Sequence, residues 1–595
     1  MKKWVLKPCM RRFACMALAL AGVWAFGGLL RLGQDGVLLS NSIASILLWW
    51  ACWKLISEAE KRMDARLLAV CAPLGLMFSA MMVLGANVMQ YETAALTAGR
   101  TWLSILCAAP LFSSVCAVFI RALRDVREPR CAGLDCWLNR LSGRTFFALC
   151  WALLFVSWLP GLIASYPGVY AYDCPYQLRS YLRGAVNTQH PMAHTGWLAL
   201  CVVELGALLG SQEAGMCVYS VSQMLLFAAA YASILSFLRR RGAGGTVLAC
   251  VLALFMLLPT NAIFSFSGTK DVAFSAFVIW TLIAMLDAAH APALLSRRTF
   301  WLRFGLSAFG MLIFRNQGVY VFVLAMLIAL VVMKGQRRRI LALAAALLML
   351  FGVYQGPVTA AVGVQKAHAP QEMLSVPIMQ LSRVIRYQPE ELSPQDREAI
   401  EAFIPDWDNY SSHSCAISDP VKNTFDNARF SADPAAFFKL WGRIGLRHPG
   451  TYIDAFLRMT AGYWYPDMAY RDWAAYQPYY QYEYHLAEDA PVLERRTPAA
   501  LKWLSDWYME LSLNNTDQKI PVLPLFTSAG VAAWIMLLFI GWAVYERRWR
   551  MLWPAGLLFG LWGTILLGPV VLMRYALPLI MAEALLAGTV WTSRT

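Results

Sequence analysis

Residues 165–195, with the sequence SYPGVYAYDCPYQLRSYLRGAVNTQHPMAHT, form a polar and aromatic segment between apolar runs. The segment contains one carboxylate, Asp173, and two histidines, His190 and His194. Side chains of these types act as general bases and bind phosphate groups or metal ions. We therefore expect the chemistry of this protein to take place here.

Asp173 follows an apolar run and precedes Pro175. A carboxylate at this place could remove the proton of an acceptor hydroxyl, a role that typically contributes about a hundredfold to ten-thousandfold in rate. The same residue could instead cap a helix over residues 174–183, since Asp before a first-turn proline is a common helix start. The sequence leaves both interpretations open, and they are compatible.

His190 and His194 stand four residues apart at the start of an apolar stretch. On a helix they would share a face, and together with Asp173 they could bind a metal ion or a phosphate. Two histidines and one carboxylate are a weak metal motif. The sequence therefore favours hydrogen bonding at the membrane boundary and leaves a divalent metal ion as a possible cofactor.

Three further polar clusters stand at the ends of apolar runs, where a membrane protein seldom keeps charged groups without a function. If these clusters lie on the same side of the membrane as Asp173, their cations would surround a base and suit a phosphate leaving group. Snorkelling, or a local ion pair between Lys270 and Asp271, is an equally good explanation. The clusters are Lys270 with Asp271, Arg315 with Asn316, and Arg574 with Tyr575.

Membrane helices are the elements that must position these residues. The chain has 595 residues, of which 59% are hydrophobic and 15% charged, and its mean hydropathy is +0.50. A soluble protein cannot bury so much apolar surface. We predict an all-α polytopic membrane protein with about 14 transmembrane helices, each able to cross a hydrocarbon layer of roughly 30 Å. The predicted spans cover residues 13–30, 36–56, 67–86, 103–123, 145–164, 216–238, 246–264, 271–289, 300–314, 318–333, 340–361, 522–545, 551–572 and 575–591.

The basic residues predict the orientation of these spans. They stand in short clusters beside apolar runs, which is typical of cytoplasmic loops and explains the net charge of +15 without nucleic-acid binding. Both termini are then cytoplasmic, and residues 165–195 lie on the opposite side. Residues 192–210 must be a juxtamembrane or re-entrant helix, because one more crossing would move Arg239, Arg240 and Arg241 outside. A true span that breaks the charge rule is the alternative.

Changes in hydrophobicity divide the chain into four regions. Residues 1–144 are predicted to be an N-terminal four-helix membrane region, and residues 145–362 a membrane core that includes the loop 165–195. Residues 363–520 are predicted to form a mainly helical soluble domain outside the membrane. Residues 521–595 are predicted to form a three-helix membrane region.

The soluble domain contains a tyrosine- and tryptophan-rich run over residues 463–484. Such rings could stack on sugars, but a position in the lipid headgroup layer is the better expectation for most of them. A disulfide between Cys174 and Cys415 is a further expectation.

The motifs YPGVYAYDCPYQ and QHPMAHTGW, followed by several spans and a large soluble domain, resemble a known superfamily. This is the GT-C fold of glycosyltransferases that use polyprenyl-phosphate sugars, such as protein mannosyltransferases and lipid A aminoarabinose transferases. The loop is most similar to that of an uncharacterised bacterial family of multi-pass membrane proteins. The resemblance covers about residues 145–361, with weaker support from MRYALP at residues 573–578.

The resemblance implies a GT-C-like core in a bacterial inner membrane. It implies inverting transfer of a sugar from a polyprenyl-phosphate donor to an extracytoplasmic glycan, lipid or protein, with Asp173 as the base and with Lys270 and Arg315 near the lipid phosphate. The loop lacks the DxD or ExD pattern of relatives, and the missing second acid puts metal use in doubt. The chain also has HPM where relatives have HPP, and four extra helices precede the core, as a docking or accessory unit would. The residues that we predict to bind substrate are Tyr172, Gln177, His190, His194, Lys270, Asp271, Arg315, Asn316, Arg574 and Tyr575.

Two other functions stay open from the sequence. A transporter or flippase of a lipid-linked glycan would need ionisable groups near the middle of the membrane, where Glu583 is the plainest example. A non-catalytic partner in envelope glycan assembly would bind such a lipid without turnover.

Overall fold

The computed structural model describes residues 8–29, 43–125, 130–367, 369–412, 415–467, 482, 484, 487–514, 516, 520 and 522–592. In this part of the chain the regular elements are helices, accompanied by three isolated β-bridges. The N-terminal region contains α1 Pro8–Leu29, α2 Ile43–Arg62, α3 Ala65–Tyr91, α4 Gly99–Asp125 and the short α5 Ala132–Arg140.

The membrane core follows, and side-chain caps fix where several of its helices begin. Ser142, Ser211 and Thr269 each accept a hydrogen bond from a backbone N–H in the first turn of a core helix, as N-cap residues do. The core helices are α6 Gly143–Ala164, α7 Cys174–Leu182, α8 Met192–Leu209, α9 Gln212–Arg240, α10 Gly245–Leu257, α11 Pro259–Ser265, α12 Lys270–His290, α13 Arg298–Phe314, α14 Gly318–Val332 and α15 Lys334–Ala361.

The remaining helices form the region predicted to be soluble and the C-terminal bundle. Short helices at Asn409–Ser412, Asp419–Lys422 and Asn427–Ala432 accompany the longer ones. The longer helices are α16 Ser375–Tyr387, α17 Pro394–Glu401, α18 Pro434–Arg447, α19 Pro449–Thr460, α20 Lys502–Asn514, α21 Ala529–Tyr545, α22 Leu552–Ile565 and α23 Met573–Thr592.

The structure is that of a multi-pass helical membrane protein. Within the described ranges, eight helices are long and apolar enough to cross a membrane, or nine if α10 and α11, which are bent by 60° relative to each other, form one broken span. The count is lower than the predicted 14, in part because some predicted spans are short helices. Among these are α14 with 15 residues and α21 with 17.

Helix α8 packs on the first turns of α9. Near the start of α8, His194 Nε2 lies 2.8 Å from the Tyr219 hydroxyl, and near its end Gly206 packs against Ser211 and Gln212. The later turns of α9 pack instead along α6, where the Trp151 ring N–H donates to the Leu225 carbonyl over 2.9 Å. Helix α8, which is one of the eight helices long and apolar enough to cross a membrane, therefore packs on the part of α9 that extends past the end of α6.

The two ends of the core bundle differ in character. At the arginine end, α6 begins beside Arg144, α9 ends at Arg240, and α13 carries Arg303 in its second turn. At the opposite end, called the site end below, α12 begins at Lys270 and α23 at Met573. Helix α12 is central to the bundle, because it packs against α9, α13, α22 and α23.

The region between α15 and α21 has a hydrophobic core of its own. Buried side chains from α16, α18 and α19, among them Ile378, Phe437 and Tyr452, pack together there. These helices are amphipathic, with one apolar face turned to this core, which is typical of a soluble helical domain.

The expected disulfide between Cys174 and Cys415 is not formed. Both thiols are free: Cys174 Sγ donates to the Gly268 carbonyl over 2.9 Å, and Cys415 Sγ lies 3.4 Å from the Tyr387 hydroxyl. Each cysteine is buried in a separate hydrophobic core, so their separation by protein is the reason that no bridge forms.

The aromatic run is only partly within the described residues, which leave out Tyr470, Trp473, Tyr476, Tyr479 and Tyr480. Of the others, Tyr463, Trp464, Tyr465 and Tyr482 are at most 5% exposed. These four rings are packed inside protein, so the expectation that most of the run lies in a headgroup layer is wrong for them.

Candidate active site

Backbone pairing holds the loop 165–195 against the turn that precedes α12. The Val169 N–H donates to the Phe266 carbonyl over 3.0 Å, and the Gly268 N–H donates to the Val169 carbonyl over 2.9 Å. Gly268 lies two residues before Lys270. This parallel bridge therefore places the loop that carries Asp173 directly beside the start of α12.

Gly168 makes the close approach possible. Its φ is +127°, a backbone conformation that residues other than glycine rarely adopt. A Cβ atom at this position would lie 2.0 Å from Ser220 Oγ and 3.0 Å from the Phe266 carbonyl oxygen. With glycine, Ser220 Oγ instead donates to the Pro167 carbonyl over 3.0 Å.

Residues at the end of the aromatic run, and Arg496 beyond it, hold the loop 165–195 by further hydrogen bonds. The Tyr484 hydroxyl donates to the Gly168 carbonyl over 2.6 Å, and the Tyr482 and Ser165 hydroxyls share a hydrogen bond of 2.6 Å. The Arg496 N–H donates to the Tyr166 carbonyl over 2.8 Å. Sequence reasoning missed this role, and tyrosine enrichment was the signal available for it.

Asp173 stands just before α7, but its side chain makes no capping hydrogen bond. The helix begins where the capping interpretation placed it, with Asp173 in the N-cap position, but the carboxylate does not act as the cap. Its Oδ2 atom accepts hydrogen bonds from Lys270 Nζ at 2.7 Å and from Arg574 Nη1 at 3.4 Å. The side chain is 27% exposed, and none of the described residues donates to Oδ1. Asp173 thus has one oxygen held by cations and one oxygen free to accept a proton.

The preceding residue is strained. Tyr172 has a φ of +56°, in the left-handed region that a bulky residue seldom adopts, and its ring centroid lies 4.6 Å from the Arg574 guanidinium. Strain of this kind costs on the order of 1–3 kcal/mol and persists where the surroundings enforce it, often at functional sites.

Asp271 is the second carboxylate of the cluster, and it is completely buried. It pairs with Arg315 through Oδ1, and its Oδ2 lies 3.5 Å from Arg574 Nη1 and accepts a hydrogen bond from the Thr269 hydroxyl over 2.9 Å. The suggested pair between Lys270 and Asp271 is not formed, because the two neighbours on α12 point to different partners.

Arg574 therefore bridges the two carboxylates, and the cluster carries a net positive charge. Lys270, Arg315 and Arg574 supply three positive charges, and Asp173 and Asp271 supply two negative charges. The excess is one positive charge. The Tyr575 ring packs on two of these cations, with its centroid 4.4 Å from the Arg315 guanidinium and 5.0 Å from that of Arg574.

The cations control the ionisation of the site. Burial raises the pKa of Asp173, but the attraction of Lys270 and Arg574 outweighs this effect and holds the pKa well below its usual range. Burial and the nearby Lys270 lower the pKa of His190 to about 4, so this imidazole is neutral at pH 7. Its Nδ1 atom lies 3.3 Å from Lys270 Nζ and can accept a hydrogen bond from it.

Gln177 and His194 lie in a buried network beneath the loop. His194 Nδ1 lies 3.0 Å from Gln177 Oε1, its Nε2 contacts Tyr219, and the Tyr219 hydroxyl donates to Gln223 Oε1 over 2.6 Å. Gln223 in turn donates to the Ser267 carbonyl over 2.6 Å. The network ties α7, α8 and α9 to the turn before α12, so these two residues support the site from below.

The histidines do not share a helix face, since His190 precedes α8 and His194 lies on it. Across the described residues, no group of three or more His, Cys, Asp or Glu side chains is arranged to hold a metal ion. Asn316 donates to the Thr188 carbonyl over 3.1 Å and so holds the far part of the loop.

The structure thus brings most of the predicted residues into one cluster at the site end. Substrate contact by the buried Gln177 and His194 and by Asn316 stays a prediction. Sequence reasoning did not identify Thr269, although a threonine immediately before a polar helix start was a usable signal. The clustered residues are Tyr172, Asp173, His190, Lys270, Asp271, Arg315, Arg574 and Tyr575.

Comparison with known proteins gives one family. The model of DUF6020, described as a family of unknown function, matches residues 183–595, which is more than half of the chain. The match includes Lys270, Asp271, Arg315 and Arg574 and begins after Asp173. No curated protein and no solved structure matches the chain.

Proposed function

This chain belongs to the DUF6020 family, and we propose that it is an integral membrane glycosyltransferase. It transfers a sugar from a polyprenyl-phosphate donor to an acceptor hydroxyl, with inversion at the anomeric carbon. The observation that carries the proposal is the state of Asp173, which has one oxygen held by Lys270 and Arg574 and the other oxygen free.

The reaction is a single displacement. Asp173 Oδ1 accepts the proton of the acceptor hydroxyl while the acceptor oxygen forms a bond to the anomeric carbon. The bond between the anomeric carbon and the phosphate oxygen breaks, and its electron pair leaves with the polyprenyl phosphate. Lys270 and Arg574 stabilise the negative charge that develops on this oxygen.

An exchange of ion partners links donor binding to base strength. With both cations on Oδ2, Asp173 is a weak base. A donor phosphate can accept the hydrogen bonds of Lys270 and Arg574, and the single excess positive charge of the cluster favours its arrival. As the cations turn to the phosphate, the pKa of Asp173 rises, so the base gains strength when the donor is in place.

The proposal includes the finer topology. By the rule that basic residues favour the cytoplasmic side, Arg144, Arg239 and Arg303 support a cytoplasmic arginine end. We infer that the site end and the helical domain lie outside and both termini inside. About 14 spans with α8 on the outer surface satisfy this orientation, with a GT-C-like core in a bacterial inner membrane. The acceptor is then an extracytoplasmic glycan, lipid or protein.

One observation favours transport of a lipid-linked glycan as a second candidate function. Glu583 lies near the middle of α23, and none of the described residues gives its Oε1 atom a hydrogen-bond partner. Transporters place ionisable groups at this depth. If the chain is a transporter, replacement of Glu583 by Gln should abolish transport. If it is a glycosyltransferase, the same replacement should leave sugar transfer unchanged.

Sugar transfer is tested with the full chain in nanodiscs, supplied with a panel of polyprenyl-phosphate hexoses and assayed for release of polyprenyl phosphate. Asp173→Asn should lower the rate by at least about 100-fold. The matched control is Asp489→Asn, which removes a carboxylate from an exposed ion pair with Arg183. Full activity of a folded Asp173→Asn protein would refute Asp173 as the base, and no release from any donor by the native chain would refute the function.

A further inference from the structure

A large cavity lies at the arginine end of the bundle, opposite the site. Its volume is about 1080 Å³, and it is lined by residues of α6, α9, α12 and α13. Ligand cavities in proteins typically measure roughly 300–1,000 Å³. This cavity is therefore large enough for a ligand of lipid size, and the cluster around Asp173 makes no use of it.

Every charged side chain that lines the cavity is an arginine. Arg239 donates to the carbonyls of Leu138 and Leu141, and Arg240 pairs with Asp287, so these two cations have partners inside the protein. Arg144 and Arg303 are exposed at the mouth, and none of the described carboxylates pairs with either. The mouth of the cavity therefore presents two available positive charges.

The interior of the cavity is mainly apolar and aromatic, with Ser233, Ser236 and Ser307 as its uncharged polar groups. Phe147 of α6 and Phe277 and Trp280 of α12 contribute their rings. Phe277 and Ala284, which both line the cavity, are seven residues apart, or about 10 Å along a helix. A cationic mouth above an elongated apolar interior matches a molecule with an anionic head and a hydrocarbon chain.

We propose that this cavity binds an anionic phospholipid from the leaflet at the arginine end. The lipid phosphate lies between Arg144 and Arg303, and an acyl chain fills the aromatic interior. A free phosphate ion would leave the apolar interior empty, and a neutral lipid would leave both arginines without a counter-charge. The site is distinct from the cluster at Asp173 and does not depend on the proposed glycosyltransferase activity.

The test measures lipid retained by the full chain after transfer from detergent into phosphatidylcholine nanodiscs doped with phosphatidylglycerol, with native mass spectrometry as the readout. Phosphatidylglycerol should be retained in preference to phosphatidylcholine. The double variant Arg144→Gln, Arg303→Gln should bind phosphatidylglycerol about 25-fold more weakly, since each arginine near a lipid phosphate contributes roughly fivefold. Arg338→Gln removes an exposed arginine of α15 that does not line the cavity, and it should retain the native amount.

A second variant tests the interior without a change in charge. Ser236 lines the cavity, and its Oγ atom is buried without a partner among the described residues, so its replacement breaks no hydrogen bond that the structure contains. Ser236→Phe should reduce retention of phosphatidylglycerol by occupying the space for the chain. Equal retention of both lipids, an equal loss in Arg338→Gln, or displacement of the lipid by millimolar inorganic phosphate would each overturn the proposal.

Discussion

Two aspartates share one arginine in this site, but they differ in their surroundings. Asp173 is 27% exposed and has a free oxygen, while Asp271 is completely buried between Arg315 and Arg574. Removal of one member of a buried ion pair leaves the other charge without compensation, which typically costs about 3–5 kcal/mol. The same substitution should therefore affect stability at one position and activity at the other.

We expect Asp271→Asn to lower the free energy of unfolding by about 3–5 kcal/mol, because it leaves Arg315 with no carboxylate partner in a buried place. Asp173→Asn should cost much less, since its side chain is in part hydrated. Denaturant unfolding of both variants in the same detergent measures the difference. Equal losses of stability would contradict this assignment of roles.

Acid should destabilise the folded protein through His190. Its pKa is about 4 in the folded chain and about 6.5 in an unfolded chain, so between these values the unfolded state binds more protons. Stability contributed by neutral His190 is complete above pH 6.5 and decreases as the pH falls towards 4, by up to about 2 kcal/mol between pH 7 and pH 5.

His190→Gln provides the control for this effect, because glutamine does not titrate. Thermal unfolding of the native chain should be more sensitive to a change from pH 7 to pH 5 than that of the variant. Identical sensitivity in the two proteins would show that His190 does not bind the proton responsible.

The sequence predicted which polar clusters would meet, but not how they pair. Charged residues at the ends of apolar runs were sufficient to group Lys270, Arg315 and Arg574 with Asp173. Pairing depends on side-chain directions, and these follow from packing between residues far apart in the chain. Lys270 contacts Asp173 across 97 positions, and Arg574 does so across 401.

At the scale of elements, the loop 165–195 is fixed by its close approach to the start of α12. Gly168→Ala should therefore displace the loop and lower the stability by about 1–3 kcal/mol, because the new Cβ atom would overlap Ser220 Oγ. Transfer activity should fall with it, since Asp173 follows in the same segment. The measurement is unfolding together with donor turnover.

Gly184→Ala is the matched control for this steric effect. Gly184 also has a positive φ, of +63°, but a Cβ atom there would meet nothing within 4 Å. Its replacement adds backbone strain alone and should leave turnover nearly native. Adding Ser220→Gly to Gly168→Ala should restore part of the activity, and no recovery would indicate that strain at φ +127° accounts for the loss.

Helix boundaries in the core were largely predictable, as the prediction of 271–289 against the observed Lys270–His290 illustrates. The hydrogen bonds that hold the loop were not predictable from the sequence, because the hydroxyls of Tyr482 and Tyr484 contact Ser165 and Gly168 across more than 300 residues. Tyrosine enrichment alone does not show whether the rings make such buried contacts, lie in the lipid headgroup layer or stack on sugars.

At the scale of the whole molecule, the helical domain is joined to the turn between α3 and α4. Asp454 accepts hydrogen bonds from the Thr93 hydroxyl at 2.6 Å and the Ala94 N–H at 2.8 Å. Arg383 donates to the Glu92 carbonyl over 2.9 Å. The N-terminal helices thus contact the helical domain directly through this turn.

We expect Asp454→Ala to loosen this junction by about 2–3 kcal/mol, because it leaves two partly buried donors without acceptors. Limited proteolysis in the domain should become faster. Asp506→Ala removes an exposed carboxylate of the same region that pairs with Lys502, and it should leave the cleavage rate unchanged. Equal rates in Asp454→Ala and the native chain would argue against this contact as the main junction.

The buried thiol of Cys174 gives the loop an intrinsic chemical reporter. Burial raises the pKa of this cysteine, and its Sγ donates to the Gly268 carbonyl, whereas alkylating reagents require an exposed thiolate. Cys174 can therefore react only in molecules whose loop has moved away from residues 266–268. Its labelling rate, measured for each cysteine peptide beside the exposed Cys131 and Cys136, would report how often the loop leaves residues 266–268 in the resting protein.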